Sequence, residues 1–124
     1  MKKVLTLLVF VSAVLITACT PKYKTINGCE IRPKTQCGKF VLSEADLSKA
    51  DLSNATLYEA NLKGANLDGA EFEDAYLHGA DLTIVSNLTC DQLELANFDK
   101  ETRFPDYIQV SWNSEESFAC CEKL

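Results

Sequence analysis

One histidine, one methionine, one tryptophan and three prolines are spread over 124 residues. With His78 alone, neither a histidine metal cluster nor a nucleophile–imidazole network has much to build on. Six cysteines occur without a single Cys-x-x-Cys, which argues against a zinc ribbon or a thioredoxin-like redox motif. Positive charge is scarce too: twelve basic residues stand against eighteen acidic, a net of −6. That balance opposes binding to nucleic-acid phosphates. Long apolar runs are equally rare. The longest, Val4 to Ile16, covers thirteen residues, short of the roughly 20 that a membrane-crossing helix requires.

That run follows Lys2 and Lys3, so residues 1–18 read as a signal peptide. Ile16-Thr17-Ala18-Cys19 resembles a bacterial lipobox, and the resemblance implies that Cys19 becomes an acylated first residue carrying palmitate-type chains. Each buried CH₂ contributes about 0.8 kcal/mol, so several chains on one residue anchor firmly. Thr20 rather than aspartate follows the cysteine; by the same resemblance this favours the outer membrane over the inner in a double-membraned bacterium. The plainer account is a secretory signal that happens to contain a cysteine. Residues 19–28 then form the lipidated cysteine and its tether. Without residues 1–18 the charge is ten basic against eighteen acidic, a net of −8.

The residues that dominate the rest are alanine and leucine. Eight consecutive five-residue units run from Ala45 to Ile84: ADLSK, ADLSN, ATLYE, ANLKG, ANLDG, AEFED, AYLHG, ADLTI. Alanine opens every unit, and leucine or Phe72 stands third. On a helix turning about 100° per residue, leucines five apart never form a stripe. On a straight strand an odd period sends alternate leucines to opposite faces. Alanine and leucine two apart do share a strand face. The chain must therefore bend once per unit, coil on itself and bury a continuous interior between stacked turns: a β-solenoid.

These units resemble the pentapeptide-repeat family, whose motif centres on A-(D/N)-L-x-x; Thr56, Glu71 and Tyr76 depart from its Asp/Asn position. The resemblance implies an all-β fold, a right-handed quadrilateral β-helix with four pentads per coil and residues twenty apart stacked. Residues 45–84 make about two such coils. Residues 29–44 read as an N-terminal cap whose Phe40 to Glu44 is a degenerate unit, and residues 85–124 as a C-terminal cap and tail. Thr89 and Gln92 have capping-box spacing, which predicts a short capping helix over 90–97. Thr102 and Pro105 match the T-x-x-P portion of the segment that closes many proteins of this kind.

Two coils alone are marginal against roughly 1–2 kcal/mol of backbone entropy per ordered residue. Leaving Cys19 aside, Cys29, Cys37, Cys90, Cys120 and Cys121 allow two bridges with one thiol over in an oxidising compartment. The expected pairs are Cys29–Cys37, and Cys90 with Cys120 or Cys121.

Sorting outward positions by twenties puts Tyr58, Tyr76 and His78 on one side, the candidate interaction face, since exposed aromatics are enriched at interface hot spots. The competing account is that Tyr58 and His78 simply stack. Another side sets Asp51 over Glu71, read as a solvated surface rather than a weak Ca²⁺ site. No catalytic residues, metal site or cofactor are expected. The function read from the sequence is a non-enzymatic, membrane-tethered structural or protein-interaction module in the cell envelope. It is held by lipid on Cys19, with an envelope protein as partner and no nucleic acid. Two alternatives are a topoisomerase-protecting DNA mimic, which this export signal and short rise disfavour, and a thiol–disulfide exchanger using Cys120 and Cys121.

Overall fold

A left-handed backbone corner recurs at every fifth residue. φ is positive at Lys34, Lys39, Glu44, Lys49, Asn54, Glu59, Asp74 and Ile84, and at Gly64, Gly69 and Gly79 among them, with values from 51° to 73°. After each corner the next residue, usually alanine, donates its N–H to the carbonyl three residues back, as Ala50 does to Leu47 at 3.0 Å. A turn with its third residue in this region is of type II. It supplies the once-per-unit bend that the odd period demands. The computed structural model describes residues 22–113 and 117–123; the segment 1–18 and Cys19 lie outside the described residues.

Four bends bring the chain back to the same side. Parallel bridges join Asp46 with Asn66, Asp51 with Glu71, Thr56 with Tyr76 and Asn61 with Asp81. On each side the leucine N–H donates to the rung after it (Leu47 to Asn66 O, 2.9 Å). The second residue of a unit donates to the rung before it (Asn66 to Ala45 O, 2.9 Å). Evenly spaced, slanted bonds of this kind are those of a parallel ladder. Inside, Leu47, Leu52, Leu57, Leu62, Leu67, Phe72, Leu77 and Leu82 are buried together with seven of the eight alanines, Ala50 being only partly covered. Each fully buried leucine contributes roughly 1.5–3 kcal/mol.

The ladders reach past 45–84 on both sides. Before Ala45, Val41 bridges Asn61 within the Phe40 unit, and Gln36 bridges Thr56 in a unit before that. Buried Thr35 and Cys37 there take the alanine and leucine places. After Ile84, Val85 is buried and Ser86 bridges Asn66. Asn87, with φ 60°, then diverts the chain. It returns later: Asn97 bridges Tyr76 and Arg103 bridges Asp81. Those partners are 21 and 22 residues apart instead of twenty, so the register of the sequence is lost while the ladder continues.

Short elements flank the ladders. Strands β1 (Thr25–Ile26) and β2 (Cys29–Glu30) form a hairpin. Its side of the first rungs is an open ladder edge, and side chains close part of it. Asn27 Nδ2 donates to Val41 O at 2.7 Å and Lys24 Nζ to Asp46 O at 2.9 Å. Unpaired edges of this kind are otherwise templates for aggregation. The Cys29–Cys37 disulfide, Cα atoms 5.5 Å apart, fastens the hairpin to the first rung.

Helix α1 (Cys90–Glu94) starts at a complete capping box between Thr89 and Gln92 and buries Leu93. It ends three residues short of the expected 97, because Asn97 must be extended to bridge Tyr76. Gln92 Nε2 also donates to Leu67 O (2.9 Å) and Ala70 O (2.8 Å), taking the place of a next strand. Strands β3 (Ile108–Trp112) and β4 (Phe118–Glu122) pair antiparallel, and Cys90–Cys120 joins α1 to β4. Phe98 packs on Phe118 (ring centroids 4.5 Å), Phe104 (5.2 Å) and Trp112 (5.8 Å) under this hairpin.

Candidate interaction surfaces

The second residue of each unit explains its own chemistry. Oδ1 of Asp51, Asn61, Asn66 and Asp81 accepts the backbone N–H two residues on, at 3.0–3.2 Å. Asp46 does the same for Ser48 at 3.1 Å and also takes its hydroxyl at 2.7 Å. A short carboxylate or amide suits this Asx-type turn, and it satisfies a donor that the ladder leaves over. These outward residues, which look like mere solvated surface in the sequence, hold the corner. The Ser48 hydrogen bonds lower the Asp46 pKa. For Asp81, burial raises the pKa, but Thr83 hydrogen bonds and the nearby Arg103 and Lys63 outweigh it, leaving the pKa lowered.

Thr56 and Tyr76 lack that bond among the described residues, and their side is the one with aromatic character. Tyr58 is 45% exposed and Tyr76 49%. Tyr76 and His78 stack with ring centroids 6.2 Å apart and planes 24° from parallel. The competing account stacks Tyr58 on His78; the ring that stacks on His78 is instead Tyr76, two residues away on the same rung. Tyr58 instead has Lys39 Nζ 5.7 Å from its ring centre, and Lys39 also pairs with Glu59 at 3.3 Å. Hydrogen bonding to Glu59, then the charge of that carboxylate, raise the Tyr58 pKa. Each Tyr thus carries a charged or imidazole neighbour, and both rings leave about half their surface open to solvent.

Below His78 the ladder is tied off by Asp99. Its Oδ1 accepts Gly79 N (3.0 Å), Glu101 N (3.1 Å), Thr102 N (3.1 Å) and Thr102 Oγ1 (3.1 Å). Burial raises its pKa, yet these donors and His78 hold it below the usual value. The single hydroxyl proton of buried Thr102 is shared between Asp99 Oδ1 and Leu77 O, the latter at 3.0 Å, and Pro105 is buried too. The threonine of the T-x-x-P portion thus bonds the backbone of the Leu77 rung. The Glu101 and Thr102 partners of Asp99 are two and three residues away, a spacing the sequence does show; its tie to Gly79, twenty residues back, is visible only in the structure.

On the acidic side Asp51 bridges Glu71. Among the described residues no group of three or more His, Cys, Asp or Glu is placed to hold a metal ion. Cys120 is bonded to Cys90 and not to its neighbour; the backbone of Cys121 lies opposite Gln109 in the hairpin. Among the described residues no helix is long and apolar enough to cross a membrane.

Residues 45–83 match the model for pentapeptide repeats, in eight copies. A crystal structure of a pentapeptide repeat protein, Rfr23, from the cyanobacterium Cyanothece 51142 is 40% identical, with a TM-score of 0.49. The match covers 56% of this chain and 46% of that one, so the chain spans less than half of that protein's length. No curated protein matches the chain. Over residues 45–83 the chain is similar to pentapeptide-repeat proteins.

Proposed function

We propose that the chain is a pentapeptide-repeat lipoprotein of the bacterial envelope, a non-enzymatic column that displays a binding face at a membrane. Its ladders form a right-handed quadrilateral β-helix of two to three coils. Helix α1 and the closing segment through Pro105 cover one end, and the β1–β2 hairpin covers the other. Cys19 carries the lipid, and the outer membrane is its home.

The partner is an envelope protein that docks on the side bearing Tyr58, Tyr76 and His78. The observation that carries this reading is that two tyrosines stay about half-exposed on a side whose backbone is fixed by ladder bonds. Aromatic rings held rigid offer contact area at little entropic cost. Pentapeptide-repeat proteins are in general structural, and the inward positions here are given over to alanine and leucine.

The test is crosslinking in intact cells from a photoreactive residue at position 58 or 76, with position 68 on another side as control. One envelope protein captured from 58 and 76 but not from 68 is the expected result. Equal capture from all three positions, or none, would reject the face. The anchor is tested by Cys19→Ser, which should leave the membrane fraction for the soluble one or remain as uncleaved precursor. Unchanged fractionation of a processed chain would reject the lipid.

A further inference from the structure

Charge is divided along the column. Residues 22–39 hold five basic residues against one acidic, whereas residues 40–124 hold five against seventeen. The ladder turns this sequence asymmetry into a spatial one, because Gln36 lies at the start of its ladder, followed by Thr56, Tyr76 and Asn97. The corners show the same gradient. Lys34, Lys39, Glu44 and Lys49 turn the first rungs; Asn54, Glu59, Gly64 and Gly69 turn the next; Asp74, Gly79 and Ile84 follow.

At the basic pole a groove of about 410 Å³ opens between the hairpin approach and the first rungs. Lys22, Lys24, Arg32 and Lys49 line it together with Asp46 and Asp51. Among the described residues, ion pairs engage Arg32 (with Glu30, 2.6 Å) and Lys39 (with Glu59, 3.3 Å). Lys22, Lys24, Lys34 and Lys49 have no carboxylate partner there and all four are exposed, Lys24 Nζ being held by the Asp46 carbonyl.

We infer that this pole is a second membrane contact: it rests on anionic phospholipid headgroups, with the groove lysines on lipid phosphate, and stands the acidic column away from the bilayer. The inference rests on the tethering reading, since Lys22 follows Cys19 by only three residues. A chain of net charge −8 anchored at random would be repelled by an anionic surface. Placing its cations within a Debye length, about 8 Å at physiological salt, and its carboxylates farther out reverses the sign of that interaction. The side with Tyr58 and Tyr76 then faces sideways, clear of the membrane. A soluble acidic protein or a nucleic acid would meet the same cations, but neither has a reason to lie beside a lipidated residue.

The test uses the full processed chain in two forms, lipidated and Cys19→Ser. Each is sedimented with vesicles of phosphatidylcholine, or with vesicles in which phosphatidylglycerol replaces about a third of that lipid. Cys19→Ser protein should bind only the anionic vesicles, and raised salt should release it. Lys22→Glu and Lys49→Glu, each in this Cys19→Ser background, should weaken that binding about fivefold or more apiece. Lys63→Glu, the same charge change on a later rung, should alter it by less than about twofold. Glutamate is tolerated at a corner such as that of Lys49, as Glu44 and Glu59 show, and circular dichroism verifies that each variant folds. Binding that ignores phosphatidylglycerol, or falls as much with Lys63→Glu, would overturn the basic pole. Lipidated protein on pure phosphatidylcholine reads the anchor separately: retention there without any anionic preference means the anchor stands and the pole does not.

Discussion

At the level of single residues, the fold is a repeated solution to one geometric problem. An extended stretch of three residues buries its first and third side chains, and two more residues must turn the chain. The fifth residue pays a steric penalty for a left-handed φ unless it is glycine, or asparagine or aspartate with their local hydrogen bonds. Ile84 is the outlier. It is β-branched, 65% exposed and sits at φ 51°, where its side chain gains little burial to offset the strain. Ile84→Asn should therefore stabilise the protein by about 1 kcal/mol, raising the melting temperature by several degrees. A drop in denaturant midpoint would show that Ile84 makes a contact worth more than its strain. The alternation of inward alanine and leucine is fully legible in the sequence, since it is a matter of pattern. The reason for Asp or Asn between them is not: Oδ1 of Asp81 serves the N–H of Thr83, and nothing in the spelling separates a bonded carboxylate from a solvated one.

At the level of elements, what the sequence conveys depends on whether a partner is local. The Thr89–Gln92 capping box is local, and the helix start is where the spacing puts it. Its end is set by Asn97, which a distant rung claims, so the helix is shorter than its own residues indicate. Thr35 to Lys39 escape notice as a repeat because threonine and a disulfide cysteine stand in for alanine and leucine. Gln92 shows the same division within one side chain. Its Oε1 accepts Thr89 N at 2.8 Å, while its Nε2 serves the carbonyls of Leu67 and Ala70. Glutamate is as good as glutamine in a capping box. Gln92→Glu should nevertheless destabilise the protein by about 1–3 kcal/mol at neutral pH, since it sets a carboxylate against two carbonyls, of which Ala70 O loses its donor and Leu67 O keeps only the Ala70 N–H. Urea unfolding of the two proteins decides it. If Gln92→Glu proves as stable as the parent, the side chain matters only to the helix and not to the ladder above which it lies.

For the whole molecule, stability is a sum over neighbouring rungs, so a change in the middle is felt by the rungs on both sides. Leu67 and Asp68 put this to the test because they are adjacent in sequence and opposite in environment. Leu67 is fully buried, its N–H donates to Ser86 O and its carbonyl takes Gln92. Asp68 is exposed, and its carbonyl receives Lys49 N, a bond that any side chain preserves. A carboxylate at 67 would have no partner in a dry interior, a cost of several kcal/mol. That is a large share of the 5–15 kcal/mol typical of a domain. Leu67→Asp should thus abolish cooperative unfolding and the far-ultraviolet strand signal together. Asp68→Lys should shift the urea midpoint by no more than about 0.5 kcal/mol in free energy. The pair separates a packed column from a loose stack of turns. In a loose stack, Leu67→Asp would melt one rung and leave the Cys29–Cys37 end protected from amide exchange; in a packed column, protection is lost at both ends at once.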